Sequence, residues 1–358
     1  MDNSIKKLLV IQNVILPYRV PIFNLLSKDF DVTVAYSLGK PFKTHVDFKV
    51  VYLPVNNYAR FVINKNSLYK FCQNFDVVIG MSNISWLSIM ALPFNKNRKF
   101  KIIFWGIGVR ASYNTKFGEK TIWDKVRYVL FRRADALLFY SSYPLQRYLE
   151  NRFDNKKLFV TNNTVAINRN YKEVLRKDLL FIGTLYKQKN IYALLNNYLG
   201  ALQKNNKVPQ LIIIGDGDEY KNILEWIKDN NLTNKILLKG KIFDEELLSS
   251  YFSSSIACIS PGQAGLSVLK SMGYGVPFIT QKSAITGGEI LNIKSGNNGV
   301  LYNNDQELKN IILDITENTN KYIQMGREAK SYYDHCRKPS DMVEGMSSAI
   351  NYVLSLNK

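Results

Sequence analysis

The 358-residue chain carries 48 lysine and arginine residues against 29 aspartate and glutamate residues, a formal net charge of +19 at pH 7. A hydrophobic content of 46% and a charged content of 22% are typical of a soluble globular protein with room for two domains. Two histidines and three scattered cysteines argue against a histidine-rich metal site, a Ser-His-Asp triad and a cysteine metal motif, and indicate reduced thiols in a reducing compartment.

Strand-like and helix-like segments alternate through the first half of the chain. Predicted strands cover 8–16, 30–36, 48–53, 76–81, 101–105, 136–140 and 157–161, and predicted helices cover 18–26, 86–92, 120–133 and 143–151. Strands such as 76–81 are apolar on both faces, which is typical of a parallel sheet covered by helices on both sides. The pattern predicts a doubly wound, Rossmann-like α/β domain over residues 1–165.

The first apolar segment, 8–16, is predicted to be a strand rather than a signal peptide. Gln12 and Asn13 interrupt it, and no small-residue cleavage site follows. No apolar run in the chain approaches the roughly 18–20 residues of a membrane span. We therefore expect no transmembrane helix in this sequence.

The alternation restarts after a polar stretch, 162–177, which is the predicted linker. Predicted strands cover 179–183, 210–215, 236–239, 255–259 and a segment from position 276, and predicted helices cover 191–202, 219–230, 245–253 and 266–272. A second Rossmann-like domain is therefore predicted over 178–335, and residues 342–356 are predicted to form a last helix. Ligands of such sheets bind beyond the carboxyl ends of the strands, so two such domains facing a cleft would place the site there.

Four successive strands of the second half end in turns that contain glycine or lysine. These turns lie at Gly183, at 214–218, at 239–240 and at 260–265. The fourth turn leads into a helix, whose first N–H groups and dipole can hold a phosphate. Glycine at 262 and 265 would let a diphosphate approach the backbone. Each turn alone is also explained by ordinary turn chemistry, because glycine is common between strands and helices.

Positive charge is concentrated in the first half: residues 1–170 account for +16 of the net +19. A field of this size attracts anionic lipid, a phosphorylated substrate or nucleic acid. The predicted helix 120–133 carries an apolar stripe at helical spacing, formed by Ile122, Val126, Val129 and Leu130, with aromatic and basic residues interleaved, and this mixture favours contact with an anionic membrane. The membrane-contact candidates are Trp123, Lys125, Arg127, Arg132 and Arg133. The alternative is a helix docked on its own sheet with a basic outer face.

The order of the second-half motifs resembles family 4 glycosyltransferases of the GT-B fold, in particular bacterial surface-polysaccharide members. The matching positions are Gly183, Lys189, Asn190, 214–217, 239–240, 260–277 and 287–289, with weaker likeness at 13–23 and 134–142. The resemblance implies retaining transfer of a sugar from a UDP- or GDP-sugar, without a cofactor or metal. The acceptor would be a polyprenyl-diphosphate-linked glycan, another lipid-anchored acceptor or a polysaccharide in capsule, O-antigen or lipopolysaccharide synthesis. It also implies that the last helix, within 336–358, crosses back to the first domain.

The resemblance also assigns roles to individual residues. The catalytic candidates are Lys189, Lys270 and Glu289. The donor-binding candidates are Gly183, Thr184, Asn190, Gly215, Asp216, Gly217, Lys239, Gly240, Pro261, Gly262, Gly265, Leu266 and Ser267. Arg19 and Arg110 follow strand ends in the first half and are candidates to face the acceptor or its phosphate, with surface salt bridging as the alternative.

The chain departs from the family pattern at several of these positions. Gly262 and Lys270 stand where the family usually has two glutamates eight residues apart, Thr184 replaces a basic residue, and 105–108 replaces a region that often holds a histidine. Lys270 cannot accept hydrogen bonds from ribose hydroxyls, although it could bind phosphate. Two other hypotheses stay open: a nucleotide-sugar epimerase of the same fold, and a basic nucleic-acid-binding protein, for which no helix-turn-helix, RRM or KH signature is found. The predicted location is cytoplasmic, on the inner face of the cell membrane.

Overall fold

The computed structural model describes residues 5–112, 115–168 and 174–356, which group into two compact units. Unit 1 comprises Met1–Arg110, Gly118–Thr164 and Lys338–Lys358, and unit 2 comprises Ala111–Phe117 and Val165–Arg337. Residues 169–173 of the predicted linker lie outside the described part of the chain.

Unit 1 is built on one parallel sheet and its covering helices. Its strands are β1 Lys7–Gln12, β2 Asp31–Tyr36, β3 Lys49–Tyr52, β4 Val55–Tyr58, β5 Phe61–Asn64, β6 Val77–Met81, β7 Lys101–Gly106, β8 Ala136–Phe139 and β9 Leu158–Val160. Its first helices are α1 Val20–Leu26, α2 Leu68–Cys72, α3 Leu87–Ala91, α4 Ile122–Phe131 and α5 Leu145–Glu150. Seven strands pair in the order β3-β2-β1-β6-β7-β8-β9, and every pairing in that sheet is parallel.

Both faces of this sheet are buried. On one face, Val10, Val34 and Trp105 pack in a core with Phe23 of α1. On the other face, Val78 and Phe104 pack in a second core with residues from α3 and α4. Apolar strands covered on two sides are what a doubly wound sheet requires, so the predicted fold class is confirmed.

Unit 2 repeats the plan with a second parallel sheet. Its strands are β10 Asp178–Ile182, β11 Leu211–Ile214, β12 Ile236–Leu238, β13 Ser255–Ile259, β14 Gln263–Ala264, β15 Phe278–Gln281, β16 Ile285–Thr286 and β17 Gly299–Tyr302. Its helices are α6 Ile191–Leu202, α7 Tyr220–Asp229, α8 Glu245–Ser254, α9 Ser267–Gly273, α10 Asp305–Glu317 and α11 Thr319–Cys336. The main sheet has the order β12-β11-β10-β13-β15-β17, and β14 pairs with β16 beside it. The predicted elements from 179 to 276 agree with these bounds to within two residues.

The last helix, α12 Pro339–Ser355, belongs to unit 1. Met342, Met346, Ile350 and Val353 recur at helical spacing, are fully buried and join the core beside α1. The helix lies close to β9 at Gly345, where a Cβ would come within 2.3 Å of the Val160 carbonyl oxygen. A glycine at this position therefore lets α12 reach the sheet.

The antiparallel hairpin β4–β5 was not predicted from the sequence. Its turn uses Ala59 at a φ of 51° followed by Arg60, whereas glycine or asparagine usually signals such a turn. Its strands are short and partly polar, with Asn56 and Asn57 exposed. The missing turn signal explains the omission, and the short helix α2 was missed as well.

Among the residues that the structure describes, no helix combines the length and apolar composition that crossing a bilayer requires.

Candidate functional site

The carboxyl ends of β10 and β11 form one wall of a cavity in unit 2. These strands are neighbours in parallel register, with Ile182 opposite Ile214, so the turns that follow them lie side by side. The cavity has a volume of about 290 Å³ and is lined by Ile182, Gly183, Thr184, Ile214, Gly215, Asp216, Gly217, Lys241 and Ile242. Five predicted donor-binding residues therefore come together here, at the strand ends where ligands of this fold bind.

The glycines of this cavity are required by backbone packing. A Cβ on Gly215 would lie 1.9 Å from the Gly183 carbonyl oxygen. The Gly183 N–H donates to the Ile214 carbonyl at 3.0 Å, and the Gly215 N–H donates to the Gly240 carbonyl at 2.9 Å. These amides form the floor of the cavity and are not available to a phosphate. Charge for an anion must therefore come from side chains nearby.

Lys189 supplies such a charge. It ends a short 3-10 helix, is 7% exposed, and its Nζ would lie 2.9 Å from a Cβ placed on Gly183. Within the described part of the chain its ammonium has no hydrogen bond or ion pair, and the Tyr186 ring centroid is 6.0 Å away. Burial lowers the pKa of Lys189 to about 8. A buried ammonium without a counter-charge is unfavourable by itself and becomes favourable when an anion binds.

Nucleotide binding is expected to weaken as the pH rises above about 8. Below that pH the Lys189 ammonium is charged and attracts phosphate; above it, the low pKa lets the amine lose its proton in the free protein. Calorimetric titration with UDP across this range measures the effect. The Lys189→Met variant should lack the dependence, and an affinity of the natural protein that stays constant through pH 8 would contradict the assignment.

Gly262 holds the Lys189 segment in place. Its N–H donates to the Lys189 carbonyl at 3.1 Å, and its own carbonyl accepts from the Ile285 N–H at 2.9 Å. A Cβ here would lie 2.3 Å from the Gln188 carbonyl oxygen. The expectation that Gly262 lets a diphosphate approach is therefore wrong, because this glycine is occupied by backbone packing. At Gly265, by contrast, an added Cβ would meet nothing within 4 Å.

The start of α9 keeps donors that an anion could use. The helix begins at Ser267 without a side-chain cap, and only the Val268 N–H turns back to the Gly265 carbonyl. The N–H groups of Leu266 and Ser267 lie at the start of the helix, where no preceding turn supplies a carbonyl to accept their hydrogen bonds. The open space at Gly265 adjoins them, so a phosphate contact at residues 265–267 stays a prediction.

Four other donor-site candidates lie in the turns around the cavity but do not line it. Pro261 is buried, Lys239 is exposed, and Gly240 accepts from the neighbouring turn. Asn190 has a φ of 50° and separates the 3-10 helix of Lys189 from α6. None of these four residues is among those that line the cavity in the described part of the chain, and their roles in donor binding remain predictions.

Lys270 does not offer an unpaired charge. Its Nζ lies 2.9 Å from both carboxylate oxygens of Glu245, at the start of α8. The Glu245 side chain is 57% exposed, whereas the Lys270 side chain is 14% exposed. A carboxylate is thus present near the position where the family has a glutamate, but it is supplied by another helix.

Glu289 is held by the loop that precedes it. Its carboxylate accepts from the Gly287 N–H at 3.0 Å, and the side chain is half-buried. Among the described residues no group of three or more histidine, cysteine, aspartate or glutamate side chains could hold a metal ion. Glu289 therefore remains a carboxylate candidate for contact with a sugar.

Arg19 lies at the carboxyl end of β1 in unit 1 and is only 3% exposed. Its guanidinium faces the rings of Tyr18, Trp105 and Tyr140 at 5.0, 4.7 and 5.1 Å, and its Nη1 donates to the Met342 sulfur at 3.4 Å. Within the described ranges no carboxylate pairs with it, so the alternative of a surface salt bridge is wrong for Arg19. The indole nitrogen of Trp105 is also buried without a hydrogen-bond partner there. Cation–π contact with three rings holds the guanidinium in place.

Helix α4 presents an apolar face to solvent, rather than the basic face of the docked-helix alternative. Ile122 is 74% exposed and Val129 is 66% exposed, with Trp123 and Val126 exposed between them. Asp124 and Phe131 make up the buried side. The exposed face is therefore the apolar stripe that the sequence pattern identified.

The basic residues predicted to contact a membrane divide into two groups. Arg127 pairs with the buried Asp124, Arg132 donates to the Asn151 carbonyl at 2.6 Å, and Arg133 lies over the ring of Phe94. Lys125, Arg132 and Arg133 are nevertheless exposed, as is Trp123, whereas Arg127 is not. The prediction that Arg127 faces a membrane is wrong, because its charge is neutralised within unit 1.

Three residues that lie at or near these sites were not predicted from the sequence. Lys241 lines the cavity of unit 2, Glu245 pairs with Lys270, and Arg60 stacks on Trp123 at 4.2 Å. Lys241 follows the predicted turn at 239–240 and could have been found there. Arg60 and Glu245 carried no local signal, because their partners are distant in sequence.

The comparisons with known proteins agree with this fold. Residues 165–332 match the family model described as glycosyl transferases group 1. An uncharacterized glycosyltransferase, MJ1069 of Methanocaldococcus jannaschii, is 25% identical over 291 residues, or 74% of this chain and 72% of that protein.

Two solved structures show the same overall architecture. Anabaena Alr3699/HepE in complex with UDP has a TM-score of 0.73 at 15% identity, covering 97% of this chain and 100% of that one. The apo form of the lipopolysaccharide outer core galactosyltransferase WaaB has a TM-score of 0.66 at 17% identity, covering 96% and 99%. The chain therefore has the GT-B fold, and its residues 165–332 match the glycosyl transferases group 1 family.

Proposed function

We propose that this enzyme transfers a sugar, with retention at the anomeric carbon, from a nucleotide sugar to a lipid-linked acceptor in cell-surface glycan synthesis. The observation that carries the donor part is Lys189, a buried ammonium with no counter-charge among the described residues, beside the cavity at the ends of β10 and β11. A leaving nucleoside diphosphate needs positive charge and N–H donors. Lys189 supplies the charge and the amides at 265–267 supply the donors. The binding of UDP by HepE, of similar fold, supports a UDP-sugar, with a GDP-sugar as the alternative.

Retention in this proposal follows from attack on the face that the diphosphate leaves. The bond between the anomeric carbon and the diphosphate oxygen breaks, the acceptor oxygen bonds to that carbon, and the leaving phosphate takes the acceptor proton. This route needs no protein base. It fits a site in which Lys270 is paired with Glu245 and the Glu289 carboxylate already accepts from Gly287. Lys189 would stabilise the negative charge that develops on the diphosphate.

Unit 1 is proposed to bind the acceptor. Arg19 brings a charge and three aromatic rings to the carboxyl end of β1, which suits the phosphate or sugar of a glycolipid. The exposed apolar face of α4, with Lys125 beside it, suits the surface of an anionic bilayer. We therefore propose a peripheral enzyme on the cytoplasmic face of the cell membrane.

The test is product formation from a panel of UDP- and GDP-sugars with a polyprenyl-diphosphate-linked sugar as acceptor. We expect one donor to give a glycosylated lipid with a retained anomeric configuration, read by NMR. Turnover of a UDP-sugar to its epimer without any acceptor would instead favour the epimerase hypothesis. Salt-dependent binding of generic DNA, with no binding of any nucleotide sugar, would favour the nucleic-acid hypothesis.

A further inference from the structure

A second cavity, here called the hairpin cavity, lies between the β4–β5 hairpin and α4 in unit 1. It has a volume of about 430 Å³, and its walls include Phe61, Ile84, Leu87, Trp123, Val126 and Leu130. We propose that it binds the first part of the hydrocarbon chain of an isoprenoid phosphate, with the phosphate on Arg60 and Arg110. This inference rests on the proposed function, because the isoprenoid phosphate would be the lipid part of the acceptor.

The interior of the hairpin cavity suits a hydrocarbon chain. Apart from its arginines, its walls are formed mainly by aliphatic and aromatic side chains, and no aspartate or glutamate is among them. Its volume lies in the range of small-molecule sites. A cavity of this size can take part of one chain, whereas a membrane phospholipid carries two. The ligand class that fits is a single-chain lipid.

Two arginines of the hairpin cavity have charge to offer a phosphate. The Arg60 guanidinium lies 4.2 Å from the ring centroid of Trp123 and 5.0 Å from that of Phe61. Neither Arg60 nor Arg110 has an ion pair within the described ranges. The third arginine, Arg127, is already paired with Asp124. A planar guanidinium binds phosphate through two parallel hydrogen bonds, so an apolar cavity with two such groups fits an amphiphile with an anionic head.

The surroundings of the hairpin cavity would connect it to a bilayer. Ile122 and Val129 are largely exposed on α4, and Leu87, which lines the cavity, is also exposed. Lys120 and Lys125 are exposed at the start of the same helix. An apolar surface with lysines beside it attracts an anionic membrane, from which a long isoprenoid chain could enter the cavity.

The experiment measures binding of farnesyl diphosphate, a short isoprenoid phosphate, by calorimetry and by the change in tryptophan fluorescence, to which Trp123 contributes. Val126 lines the cavity, and Val129 lies one turn further on the same helix, outside its walls. We expect Val126→Asp to weaken binding at least about tenfold, because it places a negative charge in the apolar wall, where it repels the phosphate and disfavours the hydrocarbon chain. Val129→Asp, the matched control, should change it less than about twofold. Arg60→Gln combined with Arg110→Gln should weaken it about tenfold or more.

Other probes separate the possible outcomes. Farnesol and inorganic diphosphate should each bind more weakly than farnesyl diphosphate, and equal binding of inorganic diphosphate would overturn the inference. The inference would also fail if Val126→Asp bound farnesyl diphosphate normally. Binding to anionic phospholipid vesicles without binding of farnesyl diphosphate would show a surface contact instead of a chain site.

The donor site provides an independent control for this experiment. Unit 2 should bind UDP equally in the natural protein and in both valine variants, and circular dichroism with thermal unfolding reports whether unit 1 stays folded in them. If the natural protein bound UDP but not farnesyl diphosphate, only the inference about the hairpin cavity would be overturned. Absence of UDP binding in the natural protein would count against the proposed function itself.

Discussion

Replacing Lys189 by methionine is expected to weaken UDP binding by about 30- to 100-fold, which corresponds to roughly 2–3 kcal/mol. The ammonium is buried beside Gly183 and has no other partner among the described residues, so its interaction with the diphosphate would be lost without replacement. Methionine keeps a similar length and fills the same space. Calorimetry with UDP measures the effect, and unchanged affinity would show that the diphosphate binds elsewhere.

The same variant should be at least as stable as the natural protein. Burial lowers the pKa of Lys189 from the model-peptide value of 10.5 to about 8. Between these two pH values the unfolded chain binds more protons than the folded one, so the free energy of unfolding rises with pH through this window. At pH 7 the charged lysine therefore opposes folding, and methionine removes that cost. The stability advantage of the methionine variant over the natural protein in thermal unfolding should therefore be larger at pH 7 than at pH 10.

Lys187 provides the matched control for both measurements. It lies two residues earlier in the same 3-10 helix, and its side chain is exposed. Lys187→Met should change UDP affinity and unfolding temperature only slightly. If both lysine variants lose UDP affinity equally, the effect reflects general positive charge rather than a specific contact.

Restoring the family's glutamate at position 262 is expected to damage the enzyme. The Cβ of any side chain here would lie 2.3 Å from the Gln188 carbonyl oxygen and 2.7 Å from the Lys189 carbonyl carbon. These are backbone atoms that cannot turn away, so we expect a loss of about 1–3 kcal/mol or more. In a unit of this size that loss lowers the unfolding temperature by roughly 3–10 °C.

Gly262→Glu should also weaken UDP binding. The hydrogen bond from the Gly262 N–H to the Lys189 carbonyl positions the segment that carries the ammonium. Gly265→Ala is the control, because an added Cβ meets nothing within 4 Å there. It should leave the unfolding temperature unchanged. A glutamate variant that unfolds and binds UDP like the natural protein would contradict this account of Gly262.

The departure at position 262 shows which features of the donor site could be predicted from the sequence and which could not. The motif order identified the four turns, because each turn is encoded by a few neighbouring residues. It could not show that Gly262 packs against residues 188–189, or that Lys270 pairs with Glu245 at 25 positions' distance. Both contacts join elements that are separate in the chain, and no local pattern reports them.

In unit 1, helix α4 likewise separates what the sequence predicts from what only the folded structure shows. Its sequence identified an apolar stripe containing Ile122, Val126 and Val129. Periodicity alone cannot tell which face of a helix packs inward, and here the stripe faces solvent while Asp124 and Phe131 face the sheet. The β4–β5 hairpin, which forms part of the adjacent cavity wall, was also not predicted from the sequence, because its turn lacks glycine and asparagine.

By itself, the sequence determined the two doubly wound α/β regions, most of their strands and helices, and the glycine turns at the strand ends, but it did not predict β17, α10 or α11. These features follow from hydrophobic periodicity and turn chemistry, which act over a few neighbouring residues. The tertiary structure alone decided that Lys189 is buried without a counter-charge, that Arg19 lies against three rings and that α12 packs in unit 1. Burial and pairing depend on which distant elements come into contact, and that contact exists only in the folded chain.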